Sequence, residues 1–356
     1  MTQEQKLTRL VTAFAIIMIV VAQLIDQATA KPLYQWLTIV NVPVLFMVAG
    51  YWATGLRWRE VLLKGIKHYV VPFAVTAAII ILGSKVIIKF NWTYWMQYRF
   101  VAMRDGVTTF LYGNGWPTAH VGDWQVLGTG MIWIALALFV ATIVFKVVQY
   151  IPGHVGYQWV VTILLAWLGY YLSSQFQMPW SIEGALVMQP LMMLGKQLRL
   201  AGDWQVGHAT AAAGFLVWTG VSTSGPFDVI MAAAPHWVFT ALGAVLGSLT
   251  IVYLAQRLIQ WTPAFATWFA KLGDAVILKI SILTILMSLF KMGGYISLIT
   301  TDHTINVVLN IVVTVIVMGL LTWGARRIDW ARQIYLKTNL KADCVVCFLF
   351  YLLTIC

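Results

Sequence analysis

Ten stretches of this chain are apolar over roughly the length a helix needs to cross a bilayer: residues 7–25, 36–53, 69–88, 126–148, 158–172, 182–196, 209–224, 229–255, 275–292 and 305–323. A spanning helix takes about 20 mainly apolar residues, because its backbone groups must be satisfied within the segment where no water reaches them. Of the 356 residues, 61% are hydrophobic and 10% charged, whereas soluble domains carry about 25% charged residues. That balance excludes a cytosolic enzyme, a secreted disulfide scaffold and a disordered chain. The expected fold is an all-α, polytopic integral membrane protein with about ten transmembrane helices. The fifth to seventh stretches are short, and Pro235 inside the eighth removes a backbone donor and is expected to kink it.

Charge gives the orientation. With residues 1–6 placed in the cytosol, 16 of the 23 Lys and Arg residues fall inside, six fall outside, and Lys279 lies within a span. This asymmetry supports an even number of spans with both termini cytosolic, in the plasma membrane. The net charge of +11 is read as a topology signal, and nucleic acid is not an expected partner. Lys6, Arg9, the first apolar stretch and Ala28-Thr29-Ala30 also imitate a cleaved signal peptide; retention is favoured, because cleavage leaves an odd number of spans.

Residues 1–323 read as one membrane domain and 324–356 as a basic cytosolic tail with a short apolar terminus. Cys344, Cys347 and Cys356 all lie in that tail. Cys344-x-x-Cys347 is half of a zinc or redox motif without its second half, so inert or lipid-modified thiols are the preferred reading and no metal is expected. The outer segment 89–125 is rich in Trp and Tyr, as an interfacial belt or a binding lid is. Gly243-x-x-x-Gly247 is a close-packing motif, within the fold or between copies in a homo-oligomer.

Ionisable groups near or within spans are functional candidates because burying them is costly. Gln23 and Asp26 lie one turn apart at the outer end of the first span, Glu183 opens the sixth, and His236 is read a turn or two into the eighth. His120 lies in the outer segment. Asp26, Glu183 or His236 is placed to act as a general base on a hydroxyl, against a plainer role as headgroup-level or buried structural groups. Lys279 is read as reaching the inner interface. On the inner side Arg57, Arg59, Lys64, Lys67 and His68 precede Pro72, a cluster suited to membrane lipid headgroups or to a phosphorylated donor such as coenzyme A.

Several segments, taken in order, resemble the acyltransferase 3 family of integral membrane O-acyltransferases acting on cell-surface polysaccharides. They are Asn41-Val-Pro-Val-Leu-Phe-Met-Val-Ala-Gly-Tyr51, Lys64-Gly-Ile-Lys67-His-Tyr-Val-Val-Pro72, Gly130-Met-Ile-Trp-Ile-Ala-Leu-Ala-Leu-Phe139 and Met178-Pro-Trp-Ser-Ile-Glu183. The resemblance covers residues 7–323. It implies transfer of an acyl group, acetyl being favoured, from cytosolic acyl-CoA to a hydroxyl of an extracytoplasmic polysaccharide or lipid-linked sugar. It also implies a donor site at Tyr51, Arg57, Lys64 and Lys67. The chain departs from the family pattern at its first helix: where the family has a basic residue and, eleven positions later, a histidine, Thr12 and Gln23 stand here. Catalysis would then fall to Asp26, Glu183, His120 or His236. The alternative is a catalytically inactive relative that carries or presents a lipid-linked or small polar substrate.

Overall fold

The computed structural model describes residues 2–25, 30–121, 124–202, 205–291, 295–296 and 302–335. Asp26, the three cysteines and the apolar terminus therefore lie outside the described residues. Helix α1 (Gln3–Leu24) starts on a capping box in which the Thr2 side chain accepts from Gln5 N while the Gln5 side chain accepts from Thr2 N. The second pass is broken into α2 (Lys31–Thr38) and α3 (Pro43–Ala53), and in the break the buried Asn41 side chain accepts from Val42 N at 2.7 Å. Helix α4 (Trp58–Gly65) runs through a π-helical turn (Ile66–Val70) into α5 (Val71–Lys89). Those 32 residues extend about 48 Å, longer than the ~30 Å hydrocarbon core.

Next come the outer helix α6 (Met103–Tyr112) and a two-stranded antiparallel hairpin, β1 (Thr118–Val121) and β2 (Trp124–Leu127). Helices α7 (Trp133–Gln149) and α8 (Val155–Gln175) follow, then the broken pair α9 (Ile182–Val187) and α10 (Gln189–Leu200). After them lie α11 (His208–Ser222), α12 (Trp237–Trp261), α13 (Pro263–Ala270) and α14 (Val276–Leu289). The described chain ends with α15 (His303–Ala325) and the short α16 (Asp329–Tyr335).

Seven helical segments are long and apolar enough to cross a membrane, or eight when α13 and α14, bent by 62°, are taken as one span. Helix α11, with 15 residues, and the broken pair α9 and α10 are the remaining two of the ten expected passes. Both pack within the bundle, α11 along α12 and α10 along α3. The chain is thus an all-α polytopic membrane protein. The α2–α3 span is 83% buried, α7 72% and α1 67%, so these form the centre, while α15 at 11% and α8 at 22% lie at the rim. Rim helices expose apolar side chains, among them Ile305, Val312, Ile316 and Leu320 of α15, which only a hydrocarbon surround accommodates at that density.

The eighth expected stretch differs from its reading. Helix α12 begins at Trp237, so Pro235 precedes it instead of kinking it, and His236 is its exposed N-cap. Residues 228–233 form a turn because Asp228 Oδ1 accepts from Ile230 N at 2.9 Å and Met231 N at 3.0 Å, offering the backbone an alternative to helix. The Gly243-x-x-x-Gly247 motif packs inside the fold: a Cβ on Gly247 would lie 2.5 Å from Val40 in the break between α2 and α3.

Both ends are tied. On the inner side Asp274 pairs with Arg9 at 3.6 Å and Arg326 at 2.9 Å, joining α1, α14 and α15. Lys279 turns toward the same end, its Nζ donating to the Asp274 carbonyl. At the other end residues 90–121 and 124–132 form a cap. Gln97 N donates to Leu289 O at 3.0 Å, Asn114 Nδ2 to Met178 O at 3.0 Å and Trp180 Nε1 to Leu111 O at 3.1 Å.

Candidate functional site: a basic cleft and the chamber behind it

Pro72 has no N–H, so the His68 carbonyl cannot receive the helical bond expected from four residues on. The ladder shifts to wider spacing, and Val71 N bonds Ile66 O. Such π turns are rare and collect at functional positions. Here the turn carries Lys67, His68 and Tyr69.

His68 and Tyr69 line a cleft of about 600 Å³ together with Trp52, Lys64, Thr142 and Arg199. Arg199, from α10, lies over the rings of Tyr51 at 5.2 Å and Trp52 at 5.6 Å, and its guanidinium donates to Tyr51 O at 3.4 Å. The lining includes two permanent cations and no carboxylate, so the cleft favours an anionic guest. A guanidinium held over two rings is also placed for phosphate recognition.

A second cavity of about 240 Å³ shares Ala49, Trp52, His68 and Tyr69 with the cleft and reaches inward to Thr12, Leu138, Val276 and Tyr335. Tyr335 closes its floor from α16, its hydroxyl 3.2 Å from Thr76 Oγ1 on α5. His68 and Tyr69 are therefore shared by a cleft that carries two cations and a second, mainly apolar cavity that carries none.

Of the residues expected at a donor site, Lys64 lines the cleft and pairs with Glu60 at 3.9 Å. Arg57 is exposed at the N-cap of α4, and Lys67 Nζ is buried without a hydrogen-bond partner. Tyr51 faces a neighbouring polar cleft of about 650 Å³, where its hydroxyl donates to Glu4. Arg199 was legible in the sequence only as one more inner cation. Nothing local marks it as the partner of the α3 aromatics, because the contact exists only through the crossing of α3 and α10.

The outer candidates do not form one constellation. Glu183 is fully buried in the first turn of α9, accepts from Trp116 Nε1 at 3.0 Å through Oε1, and leaves Oε2 without a partner. His120 is exposed on β1, with its backbone N–H donating to Gln177 Oε1 at 2.8 Å. His236 and Gln23 are exposed, and Asp26 lies outside the described residues. Among the described residues no hydrogen bond or ion pair joins Glu183 to His120, His236 or Gln23. Nearby in the cap, burial pushes the Tyr112 phenol up, with the Glu183 charge adding to the effect. In the segment leading into α6, burial pulls the Arg99 guanidinium down from its usual range. Among the described residues no three His, Cys, Asp or Glu side chains gather as a metal site requires. The outer carboxylate and the inner cleft lie far apart: Trp133, which packs against Gly184, and Thr142, which lines the cleft, are both on α7, about 14 Å apart along its axis.

Fold and clefts together define a polytopic all-α membrane protein with a cationic cleft opening at its positive face. No protein-family model, curated protein or solved structure matches the chain.

Proposed function

We propose that the protein is a membrane-embedded acyltransferase of the acyltransferase 3 type. It takes an acyl group from cytosolic acyl-CoA and delivers it to a hydroxyl of an extracytoplasmic polysaccharide or lipid-linked sugar. The observation that carries this reading is the meeting of the cationic cleft and the apolar chamber at His68 and Tyr69. A thioester donor has the same polarity, a phosphate-rich end and an apolar acyl end joined at the reacting carbon. Lys64 and Arg199 would hold the phosphates. In the transfer the acceptor oxygen bonds to the acyl carbon, the carbon–sulfur bond breaks, and the hydroxyl proton ends on the departing thiol. Neutral His68 is placed to carry that proton from oxygen to sulfur.

The exposure of Gln23, His120 and His236 favours a second reading, an inactive relative that binds the donor and presents or carries a substrate. Transfer of labelled acyl groups from acyl-CoA to envelope material separates the two, measured in membranes holding wild type, Arg199→Ala, His68→Gln or Gln23→His. Transfer by wild type that Arg199→Ala and His68→Gln each reduce by at least tenfold supports the enzyme. Silence in wild type with activity in Gln23→His supports the retired relative, and silence in all four alongside undiminished CoA binding supports the carrier.

A further inference from the structure

The chamber behind His68 is too large for the smallest acyl group. Its volume is about 240 Å³; at ~30 Å³ per water-sized group it holds about eight heavy atoms. An acetyl group has three. The chamber's aliphatic lining is Leu45, Val48, Leu138, Val276 and Ile277; of its polar lining groups His68 and Tyr69 are shared with the cleft, while Thr12 and Tyr335 belong to the chamber alone. Tyr335 and the half-buried start of α14 line it, and its volume bounds the chain it can take.

We propose that this chamber is the acyl pocket of the donor site and that it selects a medium-length chain of about six to eight carbons over acetyl. The inference rests on the acyl-CoA reading above and names its substrate class. Leu138, Val48 and Ile277, which line the chamber and not the cleft, are the residues that set chain length. Each methylene buried there should tighten binding by about fourfold until the chamber is full.

The test is equilibrium binding of CoA, acetyl-, hexanoyl-, octanoyl- and palmitoyl-CoA to the full chain in phosphatidylcholine nanodiscs. Affinity should climb from acetyl to hexanoyl by on the order of 100-fold and should stop rising by palmitoyl. Val48→Phe and Ile277→Phe, which fill the chamber from two different helices, should each collapse the ratio of hexanoyl to acetyl affinity, so a failure of one variant to fold leaves the other. Equal affinity for all the thioesters, or a ratio that both variants leave unchanged, overturns the acyl pocket while leaving the donor cleft standing. Affinity that keeps rising to palmitoyl also overturns it, and points to the lipid-facing groove along α5, between Phe73, Ala77, Ile81 and Phe110. No measurable binding of CoA or any thioester overturns the acyl-CoA reading itself and this inference with it.

Discussion

Asp228 holds its turn with a single carboxylate oxygen shared by two backbone N–H groups. Burial pushes its carboxyl above the ordinary aspartate range, and the bonds from Met231 and Ile230 only partly offset this. A carboxyl with a raised native pKa binds its proton more tightly folded than unfolded. Stability should therefore fall as pH rises from about 4, where the unfolded carboxyl ionises, through the higher native value, and be level above it. Asp228→Asn keeps the accepting oxygen and removes the buried charge, so it should raise the unfolding temperature at pH 7 and flatten its pH dependence between 4 and 7. Asp228→Ala loses both bonds and should cost about 1–3 kcal/mol. Thermal unfolding in detergent across that pH range reads both, and a lower melting point for the asparagine variant at pH 7 would refute the assignment. The turn was hard to see in the sequence for the same reason it is stable: Val229, Ile230 and Met231 read as the start of an apolar span, and only the aspartate ahead of them diverts the backbone.

At the scale of elements, two local features decide whether the cleft exists. The first is the π turn before Pro72. Pro72→Ala restores a donor for the His68 carbonyl, and the segment should relax to regular helix, turning His68 and Tyr69 away from the cleft. Since proline is the costliest residue inside a helix, the variant should be as stable as wild type or more so, yet bind CoA at least tenfold more weakly. A gain in stability with a loss of binding is the signature of strain kept for function; unchanged binding would show that the π register is incidental. The second feature is the crossing of α3 and α10, where a Cβ on Gly195 would lie 1.9 Å from Met47 O and one on Gly50 would lie 2.1 Å from Met192 O. Gly195→Ala should force the helices apart and cost several kcal/mol, in the range of overpacked sites, and should release Arg199 from Tyr51 and Trp52. Gly220→Ala is the control, since nothing lies within 4 Å of its added carbon; it should change the melting temperature little. The helices themselves were legible from their apolar periods. Their breaks at Asn41 and Met188 and the partners of Arg199 were not, because a break inside an apolar run changes no residue type, and a crossing is a property of two segments at once.

At the scale of the whole molecule, the side-chain contacts sort the connections into two ends. Lys6 Nζ donates to Pro263 O at 3.0 Å, Asp274 joins Arg9 and Arg326, and His208 Nδ1 lies 2.6 Å from the Tyr253 hydroxyl, all at one end. The cap, the Asp228 turn and the end of α14 gather at the other. This division matches the one drawn from Lys and Arg positions alone, because charge segregation is imposed by the bilayer on every loop and does not depend on how the helices pack. The end carrying the cleft should therefore face the cytosol, as a CoA donor requires. Because all three cysteines lie at 344, 347 and 356, replacing them with serine gives a background for single labels. Tyr94→Cys on the cap, where the side chain is 77% exposed, and Trp261→Cys at the opposite end, 74% exposed, are both uncovered by the protein and lie on different sides. In intact cells a membrane-impermeant maleimide should label Tyr94→Cys and spare Trp261→Cys until the membrane is opened. The reverse pattern would put the cationic cleft outside, out of reach of cytosolic acyl-CoA, and the acyltransferase reading would fall with it.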